Sequence, residues 1–422
     1  MGSSSEQATS TRMTIALVSE HAGPLAAPGA FDAGSQNVYV AGLATALSAL
    51  GHRVVVYTRC DDPRVPRRVR TSDGYTVVHV PAGPARKITE DEVLAHLGDF
   101  VQFLRTDWET HVPDIVHAHG WLSGLAAVLS TQHTRIPVAQ SYHTVGTTSR
   151  QDRRTNDPVS TKRLAVERLV GHEAARVVAV SSDEAREVLR MGIDRTKLSV
   201  VPRGVDLDLF TPQDSPTARI GLRQIVSVGR LLPHKGFEDT IRALSKVEDV
   251  RLVIAGGSAE GDVRGDPEAR RLLAQAQALG VSEKVRFAGH VPHADLPVLL
   301  RSADVVVCTP RHRSSGSVAL EAMACGVPVL ATEVGALVDS VIDGLTGVQV
   351  PPRRPDAIAR ALRSLLADGT QRELLGVAGR DRVHARYSWQ RIATDLVRTY
   401  TATISNHPAA RTSVRLSPSL GH

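Results

Sequence analysis

The segment TPRHRSSGSVALEAMACGVPVL, Thr309–Leu330, lies between the apolar runs DVVVCTP and PVLATE and overlaps both. Its small-residue turn, Ser314 to Ser317, opens a helical pattern at about Val318. Strand, turn, helix, strand is the repeating unit of a parallel sheet. The turn suits an anion, and two arginines and a histidine precede it.

The same rhythm runs outward in both directions. RQIVSVGR (223–230), RLVIAGG (251–257) and KVRFAGH read as strands, with FEDTIRALSKV and PEARRLLAQAQALG as helices between them. Upstream, TIALVSE (14–20), RVVVYTR (53–59), YTVVHVPAG (75–83), DIVHAHG (114–120), PVAQSYH (137–143), RVVAVSS (176–182) and KLSVVPRGVD (197–206) read as strands. VYVAGLATALSALG (38–51) and EDEVLAHLGDFVQFLRTDWE read as helices. The fold class is α/β, with two parallel, doubly wound Rossmann-like sheets joined at the polar stretch FTPQDSPTARIG (210–221). Ligands of such sheets sit beyond the carboxyl ends of the strands, so two domains facing each other would share one cleft. The expected division is a disordered lead at 1–12, a first domain at 13–212 and a second at 213–387. A last helix at 388–404 and a disordered polar tail at 405–422 follow.

The composition narrows the function. A chain of 422 residues suits two domains of about 200 each. Aromatic residues make up only 4%, which argues against a base-stacking surface for single-stranded nucleic acid. The net charge of +6 is spread along the chain and favours phosphorylated small molecules over nucleic acid or a membrane. No run of 18 apolar residues is present, so stable membrane insertion is not expected. Cys60, Cys308 and Cys325 lack metal-ligand spacing and fit a reducing compartment. The start, MGSSSEQATSTR, has no apolar signal core. A cytoplasmic location is the expectation.

Several residues fall where chemistry could occur. Gly34, Ser35 and Asn37 stand between a strand region and a helix, where backbone N–H groups can approach an anion; a tight turn with no ligand suits them as well. Gly229 and Arg230 follow a strand, and Lys235 comes five residues after Arg230 in a loop closed by Gly236. Two cations there can hold a diphosphate leaving group as negative charge grows on it. Gly316 and Ser317 open the helix that carries Glu321, expected in its first turn. A carboxylate there either stabilises the helix start or accepts both ribose hydroxyls of a nucleotide. His117, His119 and His143 lie near strand ends without a compact metal-ligand set, so no metal or other cofactor is expected. His119 and His143 suit either sugar hydroxyls or core packing.

These residues, in this order, resemble the GT-B retaining glycosyltransferases of family 4, from about Met13 to Tyr400. The resemblance is carried by IALVSEHAGPL, GSQNVYVAGLATAL, VPAGPARK, DIVHAHGWLSGLAA, SYHTVGT, SVVPRGVDLDLF, VGRLLPHKG, VIAGG, LLRSADVVV and LEAMACGVPV. The branches it resembles are sucrose-phosphate synthases, inositol-phosphate N-acetylglucosaminyltransferases and transferases of aminoglycoside pathways. It implies that Gly34 lies under the donor diphosphate, with Ser35 in place of a second glycine. Arg230 and Lys235 match the diphosphate-binding pair, Glu321 the ribose-binding glutamate, and His143 the histidine beside the transferred sugar. These imply catalytic roles for Arg230, Lys235 and His143. Arg163, in KRLAVERLV, aligns with an arginine that contacts acceptor phosphate, and His119 and Asn37 fall on the acceptor side. The terminal helix would cross back onto the first domain.

Beyond Ser35, the sequence departs from that pattern at two places. With Gly316 in register, the first glutamate of the E-x7-E motif falls on Arg313, preceded by His312 and followed by Ser314 and Ser315. An arginine carries only donors and a fixed charge, so it cannot read hydroxyls as a carboxylate does. An unusual donor sugar (deoxygenated, a pentose or anionic), a degenerate binding-only site, or a contact supplied by another loop would each explain it. Gly120 stands where the inositol-phosphate branch has an aromatic residue. The implied activity is retaining transfer from a nucleotide sugar, a UDP sugar above others, to a small hydroxylated acceptor. An aminocyclitol or pseudosaccharide of antibiotic biosynthesis is the leading acceptor. The alternatives are a sugar phosphate or inositol phosphate acceptor, or a sugar-nucleotide-binding regulator.

Overall fold

A computed structural model describes residues 12–25, 35–143, 158–212, 222–257 and 265–407. Gly34, most of the lead, the seam from 213 to 221 and the tail after His407 lie outside the described residues.

The first sheet contains β1 (Thr14–Val18), β2 (Arg53–Arg59), β3 (Arg68–Arg70), β4 (Thr76–Val80), β5 (Ile115–His119), β6 (Val138–Ser141), β7 (Arg176–Ala179) and β8 (Leu198–Val200). Their order is β3-β4-β2-β1-β5-β6-β7-β8. The second sheet contains β9 (Arg223–Val228), β10 (Val250–Ala255), β11 (Val285–Gly289), β12 (Val305–Cys308), β13 (Val329–Thr332) and β14 (Val348–Val350), in the order β11-β10-β9-β12-β13-β14. Neighbouring strands are parallel except for the short edge strand β3, which runs against β4.

Parallel strands covered on both faces must be apolar on both, and β2 buries every residue of RVVVYTR except Arg53. Alternation assigns the faces. Ile15 and Leu17 of β1 pack with Tyr39, Val40, Leu43 and Leu47 of the helix Ser35–Ala49. Ala16 and Val18 turn the other way, toward Phe100, Leu104, Leu122 and Ala126. In the second sheet, Ile225 and Val305 face the helices Phe237–Leu244 and Pro355–Ala367, while Val226 and Val306 face Ser317–Ala324.

The chain crosses between domains twice, and the crossings touch. Val205 donates its N–H to the carbonyl of Tyr387 at 2.8 Å and bridges Ser388. The helix Trp389–Asn406 then lies on the first domain, with Ile392, Leu396 and Tyr400 in its core. Trp389 sits in a notch left by two glycines. A Cβ at Gly42 would lie 2.4 Å from the indole and one at Gly204 2.5 Å, so neither position accepts a side chain. Between the domains, Ser182 donates its backbone N–H and its hydroxyl to the Asp339 carboxylate, each at 2.6 Å.

Some elements differ from the sequence reading. The long helix expected from Glu90 breaks at His96 into Glu90–Ala95 and Leu97–Thr110, and Thr89 with Glu92 forms a capping box on the first piece. The expected strand at 197–206 is regular only over Leu198–Val200. The chain beyond it leaves the sheet edge and makes the first crossing.

Candidate functional site

Each sheet reverses its strand order once beside its first strand, between β1 and β5 and between β9 and β12. The crevice beyond the carboxyl ends at that reversal is where an open α/β sheet binds ligands. In the second domain, β9 delivers Gly229 and Arg230 and a short turn, Pro233–Lys235; β12 delivers Thr309 to Gly316. The two loops are tied together. Arg311 donates its backbone N–H to the His234 carbonyl at 2.8 Å, and the hydroxyls of Thr240 and Thr309 meet at 2.8 Å. Gly236 adopts φ 75°, and a Cβ there would lie 1.7 Å from the carbonyl oxygen of Thr309. Only glycine permits that approach.

The two arginines of the opening stretch have separate fates. Arg311 forks onto Asp239 at 2.8 and 2.9 Å and reaches Glu238 at 3.2 Å, so it braces the loop. Arg313 stands at φ 39°, a left-handed conformation uncommon for a residue with a side chain. Its loop is held from behind by the hydrogen bond from Ala336 N–H to the Ser314 carbonyl at 2.9 Å.

Lys235 is part-buried, and its ammonium is pushed below the ordinary lysine range, first by lost hydration and then by Arg230, Arg313 and Arg203. A cation destabilised in this way gains most when an anion arrives. Arg230 itself is exposed. On the loop after β12, Gly316 at φ 74° begins the helix Ser317–Ala324, and no side chain caps that helix start. Its backbone N–H groups are available for an anion. Glu321 is the fifth residue of this helix, not in its first turn as the sequence suggested; the helix begins one residue earlier than the pattern indicated. Glu321 is 8% exposed and accepts from His293 Nε2 at 3.3 Å, a bond that raises the pKa of His293.

In the first domain, His119 ends β5 and His143 lies just past β6, at φ 59°. His119 Nδ1 and His143 Nε2 are 3.0 Å apart, and Arg203 meets His143 Nδ1 at 3.2 Å. A guanidinium only donates, so His143 Nδ1 accepts and its proton sits on Nε2. That proton is given to His119 Nδ1, which places the His119 proton on Nε2. Burial, before any neighbouring charge, holds both rings well below the usual histidine pKa. Both nitrogens of His143 are therefore used inside the first domain. His119 Nε2 is a buried N–H with no hydrogen-bond partner among the described residues.

His117 is a core residue. It joins Tyr400 Oη at 2.6 Å and Ser141 Oγ at 3.0 Å, and burial lowers its pKa to about 3. Asn37 is buried and donates Nδ2 to the Gly23 carbonyl at 3.1 Å, which fixes the loop after β1. Ser35 opens the helix Ser35–Ala49, and its side chain lies outside the described residues, as does Gly34. Gly229, at φ 155°, donates to the Ala255 carbonyl at 2.9 Å and stays close to the sheet. Arg163 lies over Trp121 at 5.7 Å, pairs with buried Glu167 at 2.8 Å and approaches Glu90 at 3.7 Å.

Two features escaped the sequence reading. Arg203 is 5% exposed and stacks over Tyr39 at 5.2 Å. It sits a few residues past β8, in PRG, and the rule that drew attention to Arg230, a basic residue just past a strand, would have found it. The second feature is a dyad at the end of β1. Buried Glu20 accepts from His21 Nδ1 at 2.7 Å and from the Ser123 hydroxyl, and its charge raises the pKa of His21 to about 9. Gly120, at φ 94°, leaves room beside His21. Among the described residues no cluster of three or more His, Cys, Asp or Glu is arranged to hold a metal, and no helix is long and apolar enough to cross a membrane.

Comparison with known proteins agrees with this fold. Residues 214–382 match the family described as glycosyl transferases group 1, and residues 34–204 match the glycosyl transferase 4-like domain. A D-inositol 3-phosphate glycosyltransferase of Geodermatophilus obscurus is 37% identical over 94% of this chain and 91% of its own. That of Kribbella flavida is 35% identical over 92% and 95%. Among solved structures, sucrose-phosphate synthase from Thermosynechococcus elongatus superposes with a TM-score of 0.81 at 31% identity, covering 93% of this chain and all of that one. HepE of Anabaena, in complex with UDP and glucose, gives 0.72 at 19% identity over 93% and 100%, which speaks to fold alone.

Proposed function

Because the chain belongs to the group 1 glycosyl transferases and is a glycosyltransferase of the GT-B fold, we propose that it moves a sugar from a UDP donor to a hydroxyl of a small cyclitol with retention at the transferred carbon. The observation that carries this reading is the pairing of two loops, joined by the bond from Arg311 N–H to the His234 carbonyl, of which one bears Arg230 and the destabilised Lys235 and the other ends in the uncapped helix start at Gly316–Ser317, with Glu321 buried one turn along. That set has a place for each part of a nucleoside diphosphate. Glu321 would accept the ribose hydroxyls, with His293 as the group it exchanges for them. Arg230, Lys235 and the helix N–H groups would take the diphosphate.

In the scheme, the bond from the sugar C1 to the diphosphate oxygen breaks as C1 bonds to the acceptor oxygen on the same face. The acceptor proton passes to the departing phosphate oxygen. Lys235 stabilises the charge that grows there, an interaction stronger at the transition state than in the bound substrate. Neutral His119 and His143 donate hydrogen bonds and do not act as bases. Domain closure, through contacts such as Ser182 to Asp339, would keep water from the donor. Charge neutralisation by these cations leaves the reaction independent of a metal ion, and unchanged turnover in a chelator would support that.

For the acceptor, the names of the relatives favour a cyclitol phosphate over the aminocyclitol expected first. Arg163, at the position implied for acceptor phosphate, supports the same reading. A specific observation keeps the amine-bearing cyclitol as the second reading: Glu167 and Glu90 already answer the charge of Arg163, and Gly120 offers no aromatic contact. The test is a set of incubations with a UDP sugar and either an inositol phosphate or an aminocyclitol, read by mass spectrometry for the glycosylated acceptor. Product with the phosphate alone establishes the first reading and product with the amine alone the second. Failure of UDP to bind in calorimetry would end both.

A further inference from the structure

We propose that His21, backed by the buried carboxylate of Glu20, selects the acceptor, and that the group it takes is a phosphate monoester held at its Nε2 beside Gly120. This inference rests on the cyclitol phosphate reading above and deepens it. Glu167 and Glu90 answer Arg163, so the preference for a phosphorylated acceptor needs another cation.

The dyad stands where the first sheet reverses its strand order, at the carboxyl ends of β1 and β5. Glu20 and His21 follow β1, and Gly120 and Ser123 follow β5. Hydrogen bonds stitch the two loops across the reversal. Glu20 donates its backbone N–H to Ser123 Oγ at 3.1 Å, and Gln36 Nε2 donates to Ser19 Oγ at 3.2 Å and to the His119 carbonyl at 3.1 Å. Glu20 is 1% exposed, and both of its carboxylate oxygens are used. One accepts from His21 Nδ1 at 2.7 Å and the other from the Ser123 hydroxyl.

A carboxylate this far from water needs a cation, and His21 supplies it. The His21 side chain is 43% exposed, so the pair presents its positive end outward and keeps its negative end behind. With Nδ1 committed to Glu20, the imidazolium has one N–H left, at Nε2, and that atom makes no hydrogen bond to the described residues. Room for a ligand lies next to the ring. A Cβ built on Gly120 would stay 3.7 Å from His21 Cε1 and 3.8 Å from Gln36 Nε2, with no closer neighbour. The other charges acting on His21 are Glu90 and Arg163, themselves paired at 3.7 Å, and the neighbouring ring of His143 is neutral. Glu20 dominates them and keeps His21 protonated up to about pH 9. An N–H of a cation bonded to a phosphate oxygen belongs to the strong class of hydrogen bonds, which a free hydroxyl does not match.

The experiment is calorimetry on the full chain, with and without UDP, titrated with an inositol phosphate and with free inositol at pH 8 and pH 6. The wild type is expected to bind the phosphate about tenfold tighter than inositol at both pH values, a charge-assisted pair's contribution. Glu20→Gln keeps the shape and withdraws the charge that holds the ring protonated, so His21 returns toward the ordinary 6.5. Its preference should fall about tenfold at pH 8 and recover toward pH 6, a signature that lost packing alone does not give. His21→Asn, which can still donate to Glu20 but carries no charge, should lose the preference at both. A melting temperature near that of the wild type shows that either variant has folded. A preference that survives at pH 8 in both folded variants overturns the inference and leaves the cyclitol phosphate reading to Arg163. A wild type that binds the phosphate no tighter than inositol, or not at all, overturns both. Failure of UDP to bind ends the donor reading, and the titration without UDP still decides this one.

Discussion

Arg203 meets Nδ1 of His143 at 3.2 Å, and this one bond fixes the proton positions of two buried imidazoles. The chain it starts runs through His143 to His119 and ends on a buried N–H that faces no protein acceptor among the described residues. Both rings are buried and held well below the usual histidine pKa, which favours them as hydrogen-bond donors over proton acceptors.

Replacing Arg203 with methionine should therefore change more than packing. It leaves Nδ1 of His143 buried without its donor, at a cost of about 1–3 kcal/mol. It also removes a charge that holds the ring neutral. The pH dependence of kcat/KM should gain an acid-limb ionisation absent from the wild type, and Arg203→Lys should suppress it again. A profile unchanged in Arg203→Met would show that the guanidinium only fills space.

Lys235→Ala and Glu321→Ala should each lower turnover by about 10²- to 10³-fold, the usual consequence of losing one preorganised charge partner at a reacting centre. Glu321→Ala should also weaken UDP binding, whereas Lys235→Ala should act mainly on kcat. Circular dichroism matching the wild type shows that the fold survives, and near-normal rates in either variant would count against the site.

Stability should peak near neutral pH. His117, His119 and His143 are neutral in the folded chain, with pKa values below the ordinary 6.5. As pH falls below 6.5 the unfolded chain binds protons that the folded chain refuses, so stability drops on the acid side by up to roughly 1.4 kcal/mol per pH unit for each ring. His21 behaves oppositely. Its folded pKa of about 9 means that its contribution is complete below 6.5 and fades as pH rises toward 9. Partial exposure of the His21 side chain screens that second limb. Melting temperatures from pH 5 to 9 should show a steep acid limb and a shallow basic one. His21→Asn should flatten only the latter.

Asp339→Ala removes both acceptors that Ser182 uses across the domain boundary. The closed form should lose about 1–2 kcal/mol, seen as a higher donor KM and faster donor hydrolysis relative to transfer. Asp339→Asn, which keeps one acceptor, should fall between.

The fold was legible because its signals are local. Runs such as RVVVYTR need no partner to be recognised as buried parallel strand, and SSGS before a helical pattern marks its own turn. Edges were harder. β3 has only three residues and draws its regularity from β4. The cation pair Arg230 and Lys235 could be found because strand and loop lie within a few residues of each other. Arg203 reaches His143 across 60 positions and His117 reaches Tyr400 across 283, and no spacing rule spans such gaps. Glu321 falls one position later in its helix than the pattern suggests, because an αL glycine starts the helix sooner than the hydrophobic pattern does.

The paired crossings at Val205 and Tyr387 bear on how the enzyme can breathe. Two covalent tethers lying side by side act as a door hinge rather than a ball joint: the lobes can swing about one line and resist twisting off it. Trp389, wedged into the glycine notch directly after the second tether, carries the torque into the rigid body of the first lobe. Every reopening to release product would then retrace the same arc, returning Arg203 and Lys235 to the same mutual distance each time the jaws meet.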